Sequence, residues 1–317
     1  MNVYLTFDVE IWCDGWKDLD TKFSKNFQRY VYGHSVQGDY ALPKTLEILA
    51  RHHLTAIFFV EPLFAGRFGV EHLATILDLI RPGGHDIQLH LHPEWSDEIR
   101  PIPFPSAARK RQHLAYYTLK EQVALIRLGL SLMQQAGCGG LTVFRAGSFA
   151  CNADTYRALS ECGISLDSSL DDVFEMSGAD LRGRLDFSRP QQFEGVSIVP
   201  ISIFRDGMGG KRHAQIGACS FPELREALDA AYRLGVADFT ILSHNFEMLK
   251  PGTQEPDSIV VRRFESLCAY LASERTRFRV GAIRAPTIDD VPRPMPSVSM
   301  SATLQRHAEQ LIRRLYA

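Results

Sequence analysis

The sequence lacks the features of several protein classes. Its six cysteines include no C-x-x-C pair, which excludes a zinc ribbon or a thioredoxin-type redox site, and we expect free thiols. They are Cys13, Cys138, Cys151, Cys162, Cys219 and Cys268. Thirty-five basic and 37 acidic residues give a net charge of −2, and no basic run stands out. Nucleic acid and an anionic membrane surface are therefore not expected as partners.

Long apolar stretches are missing as well. No window approaches the ~18–20 continuous apolar residues of a membrane-spanning helix. The N-terminus begins directly with a strand pattern and shows no charged segment followed by an apolar one. We therefore expect a cytoplasmic protein with reduced thiols, although a chain trimmed of its leader would look the same.

What the sequence contains is a repeated alternation of apolar runs and amphipathic segments. Its 317 residues, 45% of them hydrophobic, suit one α/β barrel or two smaller domains, and we prefer one. Strands are predicted over 3–9, 56–60, 86–92, 141–144 and 239–242. Helical patterns lie between them, which is the βαβ signature of a parallel sheet.

Three other segments are predicted from composition and periodicity. Residues 11–39 are interpreted as a long loop over the site, and 114–135 as an amphipathic helix. We assign residues 1–290 to one barrel and 291–317 to a Pro-rich linker and an amphipathic C-terminal helix. That helix packs either on the body or on a partner, so a homo-oligomer through it is one expectation.

The segment Gly84 to Trp95 carries the clearest chemical signal. Side chains alternate along a strand, so His90 and His92 share one face while Leu89 and Leu91 bury on the other. Pro93 cannot donate to a sheet, so the strand is expected to end there, where α/β folds place their functional groups. This pattern is typical of a metal site, although one isolated H-x-H pair is as often two ordinary polar histidines.

Other predicted strands also end in functional side chains. Asp8 and Glu10 follow the first strand, Arg145 the fourth, Asp167 the next and His244 a later one. Because barrel enzymes collect such groups at one rim, the combination indicates an active site.

The order of these segments resembles a known family. Leu5-Thr6-Phe7-Asp8, Gly84 to His90, Arg145 to Phe149, Leu166 to Ser169 and Leu242-Ser243-His244 resemble successive motifs of the polysaccharide deacetylase family. This family has the NodB homology domain and is also called carbohydrate esterase family 4. The resemblance spans roughly residues 3–250. It implies an irregular (β/α)7-type barrel, the NodB-like deacetylase fold, with a divalent metal, usually zinc.

The sequence departs from the family pattern at two metal positions. Most members have Asp-Asp on the first strand, whereas this chain has Asp8-Val9-Glu10. By resemblance to a branch with Asp-x-Glu, we predict Glu10 as a metal ligand and Asp8 as the catalytic base. The usual His-x-x-x-His would place a histidine where Glu94 stands. We favour His90 and His92 as the ligands, with Glu94 as an alternative to His92.

The remaining roles are implied by the resemblance. Arg145 would hold Asp8 ionised, whereas the plain alternative for Arg145 is a weak surface ion pair. His244 would protonate the leaving amine, with Asp167 tuning it. For Asp167 and the two serines after it, a cap or turn is an equally good interpretation. Asn245-Phe246-Glu247 would extend the site, but the sequence does not decide this.

The resemblance implies a hydrolase that removes an N-acetyl group from an amino sugar in a glycan. With the cytoplasmic setting, an intermediate of cell-surface polysaccharide or lipopolysaccharide synthesis is the expected substrate. Candidate substrate contacts are Trp12, Trp95, Ser148 and Phe149, with plain loop packing as the alternative for the aromatic residues. Two other functions stay open. They are hydrolysis of another C–N bond in a small amide and non-catalytic glycan binding on the same barrel.

Overall fold

The structure is a computed structural model, and it describes residues 1–286, 288 and 293–315. It divides into two compact units. The first unit comprises Met1–Ala56, Ser202–Ala282 and the described part of Pro292–Ala317; the second comprises Ile57–Ile201 and the described part of Ile283–Val291. The predicted boundary at 290/291 and Pro292 of the predicted linker lie outside the described residues. The domain assignment therefore stays a prediction.

Strands and helices alternate along the described chain. The strands are β1 (Asn2–Val9), β2 (His34–Ser35), β3 (Gly38–Asp39), β4 (Ile57–Val60), β5 (Asp86–Leu91), β6 (Val143–Ala146), β7 (Leu166–Asp167), β8 (Gln191–Phe193), β9 (Val196–Ile198), β10 (Ile203–Arg205), β11 (Lys211–His213), β12 (Asp238–His244) and β13 (Arg279–Val280). The α-helices are α1 (Leu19–Phe27), α2 (Leu42–Arg51), α3 (Ala65–Phe68), α4 (Val70–Ile80), α5 (Leu119–Gln135), α6 (Ala153–Glu161), α7 (Phe221–Arg233), α8 (Ser258–Ser273) and α9 (Met300–Leu315). The predicted α/β class is confirmed.

In the first unit, β1 and β12 are the strands that position the site. They pair in parallel from Asn2 opposite Asp238 to Asp8 opposite His244. Strand β13 pairs in parallel with the start of β1. Nearly every residue of β1 and β12 is buried, as expected for parallel strands covered on both faces. Because the two strands run in the same direction, their carboxyl ends bring Asp8 and His244 side by side.

In the second unit, a sheet is formed in the order β4, β5, β6, β7, β9 and β8. Its strands are parallel except for β8, which pairs antiparallel with β9. A Cβ atom added to Gly129 of α5 would lie 2.8 Å from the side chain of Leu91 and 3.2 Å from that of Leu89. These leucines therefore face α5. Since side chains alternate along β5, His90 faces the opposite side, as predicted.

Two sequence predictions were wrong in their limits. Residues 11–39 contain α1, a π-helical turn over Gln28–Tyr32 and the β2–β3 hairpin. The buried residues of α1 include Leu19, Phe23 and Phe27, a helical spacing hidden among polar residues. The helix predicted from residue 114 begins at Leu119, because a capping box formed by Thr118 and Glu121 starts it there.

The C-terminal helix α9 packs on its own unit through polar side chains. Arg306 is buried and donates to Glu223 at 2.9 Å and to Asp206 at 2.8 Å. Of the predicted apolar face, Leu304 is 53%, Leu311 59% and Leu315 70% exposed. Helix α9 therefore packs on the body, and homo-oligomerisation through it is not supported.

Two further expectations can be compared with the structure. All six cysteines are free, as predicted. No helix in the described ranges combines the length and the apolar character needed to cross a lipid bilayer.

The Arg306 contacts predict a large stability effect. Arg306→Ala leaves two buried carboxylates without their cation, so we expect the free energy of unfolding to fall by about 3–5 kcal/mol. Chemical denaturation measures this change. Arg314→Ala, which removes an exposed arginine of the same helix, should change the value by less than about 0.5 kcal/mol. Equal stability of the two variants would contradict the importance of the buried ion pairs.

Candidate active site

Three titratable side chains of the first unit meet at the carboxyl ends of β1 and β12. Asp8 lies opposite His244 in the register, and Glu10 follows β1. The potential ligand atoms of Asp8, Glu10 and His244 all lie within 4.8 Å of one another. Both carboxylates are buried, while the side chain of His244 remains 21% exposed. His244 is thus the most accessible member of this cluster.

Asn245 holds the main chain that carries Asp8 and Glu10. Its Oδ1 accepts from the Glu10 backbone N–H at 3.1 Å, and its Nδ2 donates to the Glu10 carbonyl at 3.3 Å. Its own backbone N–H donates to the Asp8 carbonyl at 3.1 Å. Trp12 Nε1 donates to Glu10 Oε2 at 2.8 Å. Backbone and carboxylate of Glu10 are therefore both oriented by hydrogen bonds.

Glu247 orients the imidazole of His244. His244 Nδ1 lies 2.8 Å from Glu247 Oε1, and the Ser243 hydroxyl donates to Glu247 Oε2 at 3.0 Å. Burial by itself lowers the pKa of His244. The hydrogen bond to Glu247 and the negative charges of Glu10, Glu247 and Asp8 outweigh burial and raise that pKa to about 9. With these charges present, the protonated imidazole is the favoured form at neutral pH, which suits the predicted role of His244 as a general acid.

The two histidines of the H-x-H segment lie close together in the second unit, with ring centroids 4.8 Å apart. His90 Nδ1 lies 2.8 Å from the Arg145 carbonyl oxygen, and His92 Nδ1 lies 3.3 Å from Glu94 Oε2. A carbonyl or carboxylate on one ring nitrogen orients metal-binding histidines so that the other nitrogen faces the ion. Both rings fit the predicted role through Nε2. Glu94 contacts His92 in the way that orients a ligand, which favours His92 over Glu94 as the ligand.

Gly147 leaves the space that the His92 ring occupies. A Cβ atom at position 147 would lie 2.7 Å from His92 Nδ1 and 2.7 Å from the Leu91 carbonyl oxygen. Real Cβ atoms do not approach so closely, so any other residue would displace the imidazole or the backbone. The observed position of the His92 ring therefore requires glycine at position 147.

Arg145 is a completely buried residue at the end of β6. Its Nε donates to the Ser168 carbonyl at 3.0 Å, and a terminal nitrogen donates to the Ser168 hydroxyl at 3.1 Å. Its guanidinium carbon lies 4.1 Å from the ring centroid of Phe59. These contacts exclude the alternative of a surface ion pair.

Asp167 is bound by residues of its own unit. It accepts from the Ser169 hydroxyl at 2.5 Å, from the Ser169 backbone N–H at 2.9 Å and from the Tyr156 hydroxyl at 3.1 Å. Burial raises the pKa of Asp167 to about 6, although these hydrogen bonds and the charge of Arg145 act against it. Tuning of His244 by Asp167 stays a prediction. The carboxylate observed on the His244 ring is that of Glu247.

One buried carboxyl group was missed by the sequence reading. Glu61 directly follows β4 and accepts from the Leu63 backbone N–H at 2.8 Å. Burial raises its pKa to about 8, against the lowering effects of the His92 charge and of backbone hydrogen bonds. The sequence feature that could have identified Glu61 is an acidic residue immediately after a fully apolar strand.

The predicted substrate contacts differ in exposure. Trp12 is partly exposed, whereas Trp95 is 1% exposed and packs against two phenylalanine rings. Ser148 and Phe149 have φ angles of 53° and 56°, and Phe149 stacks on Phe174 with centroids 5.0 Å apart. Trp12 stays a candidate for stacking on a sugar, but the burial of Trp95 argues against that role.

Comparison with known proteins gives matches among solved structures alone. No family model and no curated protein matches the sequence. Among solved structures, a protein from Mycobacterium smegmatis assigned as a polysaccharide deacetylase is similar at a TM-score of 0.49 and 17% identity, covering 90% of this chain and 94% of that one. A family 4 carbohydrate esterase from Streptomyces lividans is similar at a TM-score of 0.43 and 14% identity, and the match covers 93% of this chain and 97% of that one.

A third structure, 4-alpha-glucanotransferase from Thermococcus litoralis, is similar at a TM-score of 0.51 and 10% identity, covering 88% of this chain and 39% of that one. Identities this low describe the fold alone. The structures from Mycobacterium smegmatis and Streptomyces lividans align with most of this chain.

The close approach at Gly147 predicts a specific effect on metal binding. If His92 is a metal ligand as predicted, Gly147→Ala should lower the affinity for zinc roughly tenfold to a hundredfold, because the added methyl group displaces His92. Competition with a chromophoric chelator measures this. Gly139→Ala is the control, since the nearest atom to its new Cβ is 3.9 Å away. Unchanged zinc affinity in Gly147→Ala would remove His92 from the ligands.

The raised pKa of Asp167 predicts a pH effect on stability. The folded protein holds this proton more tightly than the unfolded chain, so stability is lost as pH rises from about 4 to about 6. Asp167→Asn removes this titration. The unfolding free energy of the variant relative to the parent should therefore rise by roughly 2–3 kcal/mol across that interval. A constant difference between pH 4 and pH 7 would refute the shift.

Proposed function

We propose that this protein is a metal-dependent hydrolase that removes an N-acetyl group from an amino sugar of a glycan. The observation that carries the proposal is the cluster of Asp8, Glu10 and His244, whose potential ligand atoms lie within 4.8 Å of one another. A carboxylate base, a metal-binding carboxylate and a protonated imidazole are the groups that amide hydrolysis at a metal site requires.

Glu10, His90 and His92 are the proposed metal ligands. Each offers one ligand atom, a carboxylate oxygen or an imidazole nitrogen. Two imidazoles and one carboxylate suit zinc and leave a position for water. The orientation of both rings through Nδ1 supports this assignment. A bound divalent cation supplies Lewis acidity and lowers the pKa of a coordinated water to about 7.

The residues of the first unit divide the proton transfers. Asp8 accepts the proton of the attacking water. His244 donates its proton to the nitrogen of the sugar as the C–N bond breaks, which releases acetate and a free amine. Glu247 keeps the imidazole oriented and protonated for that step through its hydrogen bond to Nδ1. By the family resemblance, Arg145 would keep Asp8 ionised.

The substrate class comes from the motif resemblance. An acetylated amino sugar presents an amide of the kind that this chemistry cleaves. Trp12 is partly exposed, which supports its proposed contact with a sugar ring. An intermediate of cell-surface polysaccharide or lipopolysaccharide synthesis and a cytoplasmic location stay predictions. A small non-sugar amide and non-catalytic glycan binding are the outcomes that would replace the proposal.

Two substitutions test the division of roles. Asp8→Asn should retain the metal and reduce acetate release by at least about a hundredfold, because only the proton acceptor is lost. His90→Ala should lose both metal and activity. Metal content by mass spectrometry and acetate release from N-acetylglucosamine oligomers measure these effects.

The outcomes separate the candidate functions. Full activity of Asp8→Asn would remove Asp8 as the base. A metal-loaded parent protein that binds the oligomers without releasing acetate would favour the glycan-binding protein. Activity restricted to small amides would favour the alternative hydrolase.

A further inference from the structure

A cavity of about 400 Å³ in the first unit adjoins the Asp8–Glu10–His244 cluster. Trp12 lines it and donates to Glu10. Phe246 also lines it and stacks on His244, with ring centroids 5.5 Å apart. Trp12 and Phe246 therefore connect the cavity to Glu10, a proposed metal ligand, and to His244, the proposed acid.

Aromatic rings form one part of the cavity lining. Tyr30 and Phe246 meet edge to face, with centroids 5.2 Å apart, and Trp12 adds a third ring. Apolar faces of this kind pack against the C–H faces of a sugar ring, while polar groups beside them fix its orientation. The size and the lining suit one or two sugar units.

The charged part of the lining is predominantly positive. Arg29, Lys250 and Arg313 line the cavity, and Glu247 is its one acidic lining residue among those that the structure describes. Glu247 is engaged with the imidazole of His244. The cations thus outnumber the carboxylate at this surface, and the carboxylate already has a cationic partner.

The acidic partners of these cations are outside the lining. Arg29 lies 3.7 Å from Asp14, whose side chain is 60% exposed, so this pair is weak. Lys250 donates to Glu255, whose side chain is 70% exposed. Arg313 is fixed more firmly, by Asp257 at 2.6 Å. Because Asp14 and Glu255 are largely exposed, solvent weakens both ion pairs, and an anion in the cavity can compete with these carboxylates for Arg29 and Lys250.

We propose that this cavity binds an anionic group, a carboxylate or a phosphate, on the sugar unit next to the N-acetylated one. The substrate is then an acidic glycan. This inference rests on the proposed function and names the class of substrate for the same site. Arg29 and Lys250 contact the anionic group, and Trp12, Tyr30 and Phe246 contact the sugar rings.

A second cavity extends the same surface. It measures about 650 Å³, lies between α8 and α9, and shares Lys250, Pro251 and Arg313 with the first. Arg262 and Arg314 also line it, and both are exposed. Its acidic lining residues, Asp257 and Glu309, are paired with Arg313 and Arg263. Anionic groups repeated along a chain would meet cations in both cavities. The arrangement therefore fits a polymer with repeated acidic units better than one with a single acidic end.

The experiment compares acidic and neutral substrates of equal length. The acidic probe is a tetrasaccharide in which N-acetylglucosamine alternates with glucuronic acid, and the neutral probe is N-acetylglucosamine tetramer. The metal-loaded parent should show a kcat/KM at least about tenfold higher for the acidic probe, with an advantage that declines as salt is added. Arg29→Gln and Lys250→Gln should each reduce this advantage severalfold and leave the neutral probe within twofold.

A control removes a positive charge elsewhere. Arg233→Gln alters an exposed arginine at the end of α7 that does not line this cavity, and both probes should be unaffected by it. N-acetylglucosamine oligomers that carry a phosphodiester group are the third substrate in the comparison. A higher kcat/KM for the phosphodiester probe identifies the anion as phosphate, and a higher kcat/KM for the glucuronic acid probe identifies it as carboxylate. Either result supports the proposal.

Binding distinguishes failure of the inference from failure of the proposed function. Calorimetry on the Asp8→Asn variant reports affinity without turnover. Tight binding of the acidic probe that Arg29→Gln weakens at least about fivefold, with no acetate release by the parent protein, would support the anionic site and refute the hydrolase. Acetate release with equal kcat/KM for both probes, unchanged by Arg29→Gln and Lys250→Gln, would overturn the anionic site and leave the hydrolase standing.

Discussion

The parallel pairing of β1 with β12 is the constraint on which the rest of the candidate site depends. It places Asp8 opposite His244 at the carboxyl ends of two buried strands, although 235 residues of chain separate Glu10 from Asn245, which holds its backbone. A shift of one residue in this register would turn these side chains to the other face of the sheet. Such a shift would also move the apolar residues of both strands out of their packing in the core. The strand register that buries these residues is therefore the same register that positions the site.

The side chains of the candidate site are held by neighbours that have no part in the proposed proton transfers. Glu247 orients His244, Asn245 orients the main chain of Glu10, and the Arg145 carbonyl orients His90. Buried polar groups are stable only when they are hydrogen-bonded, so these contacts serve stability as well as function. Gly147 contributes in the opposite way, because the absence of a side chain leaves room for the His92 ring.

The distribution of charge explains why a chain with a net charge of −2 still offers a cationic cavity. Net charge reports the sum over the surface, whereas a ligand meets the few groups that line one cavity. Arg29, Lys250 and Arg313 are far apart in the sequence and form no basic run, so composition alone gives no sign of them. Folding brings these three cations to the same cavity as the rings of Trp12, Tyr30 and Phe246.

The amino-acid sequence by itself determined the α/β class, the faces of the H-x-H strand and the residue types available for catalysis, because these follow from local periodicity and from strand ends. It did not reveal α1, whose buried residues are interspersed with polar ones, or the exposure of the apolar residues of α9. It also did not reveal the burial of Trp95 or of the Glu61 carboxyl group. Tertiary structure alone decided that Glu247 is the carboxylate on His244 and that cations gather around one cavity. The physical reason is that contacts between residues distant in sequence depend on how strands and helices pack, which local patterns do not encode.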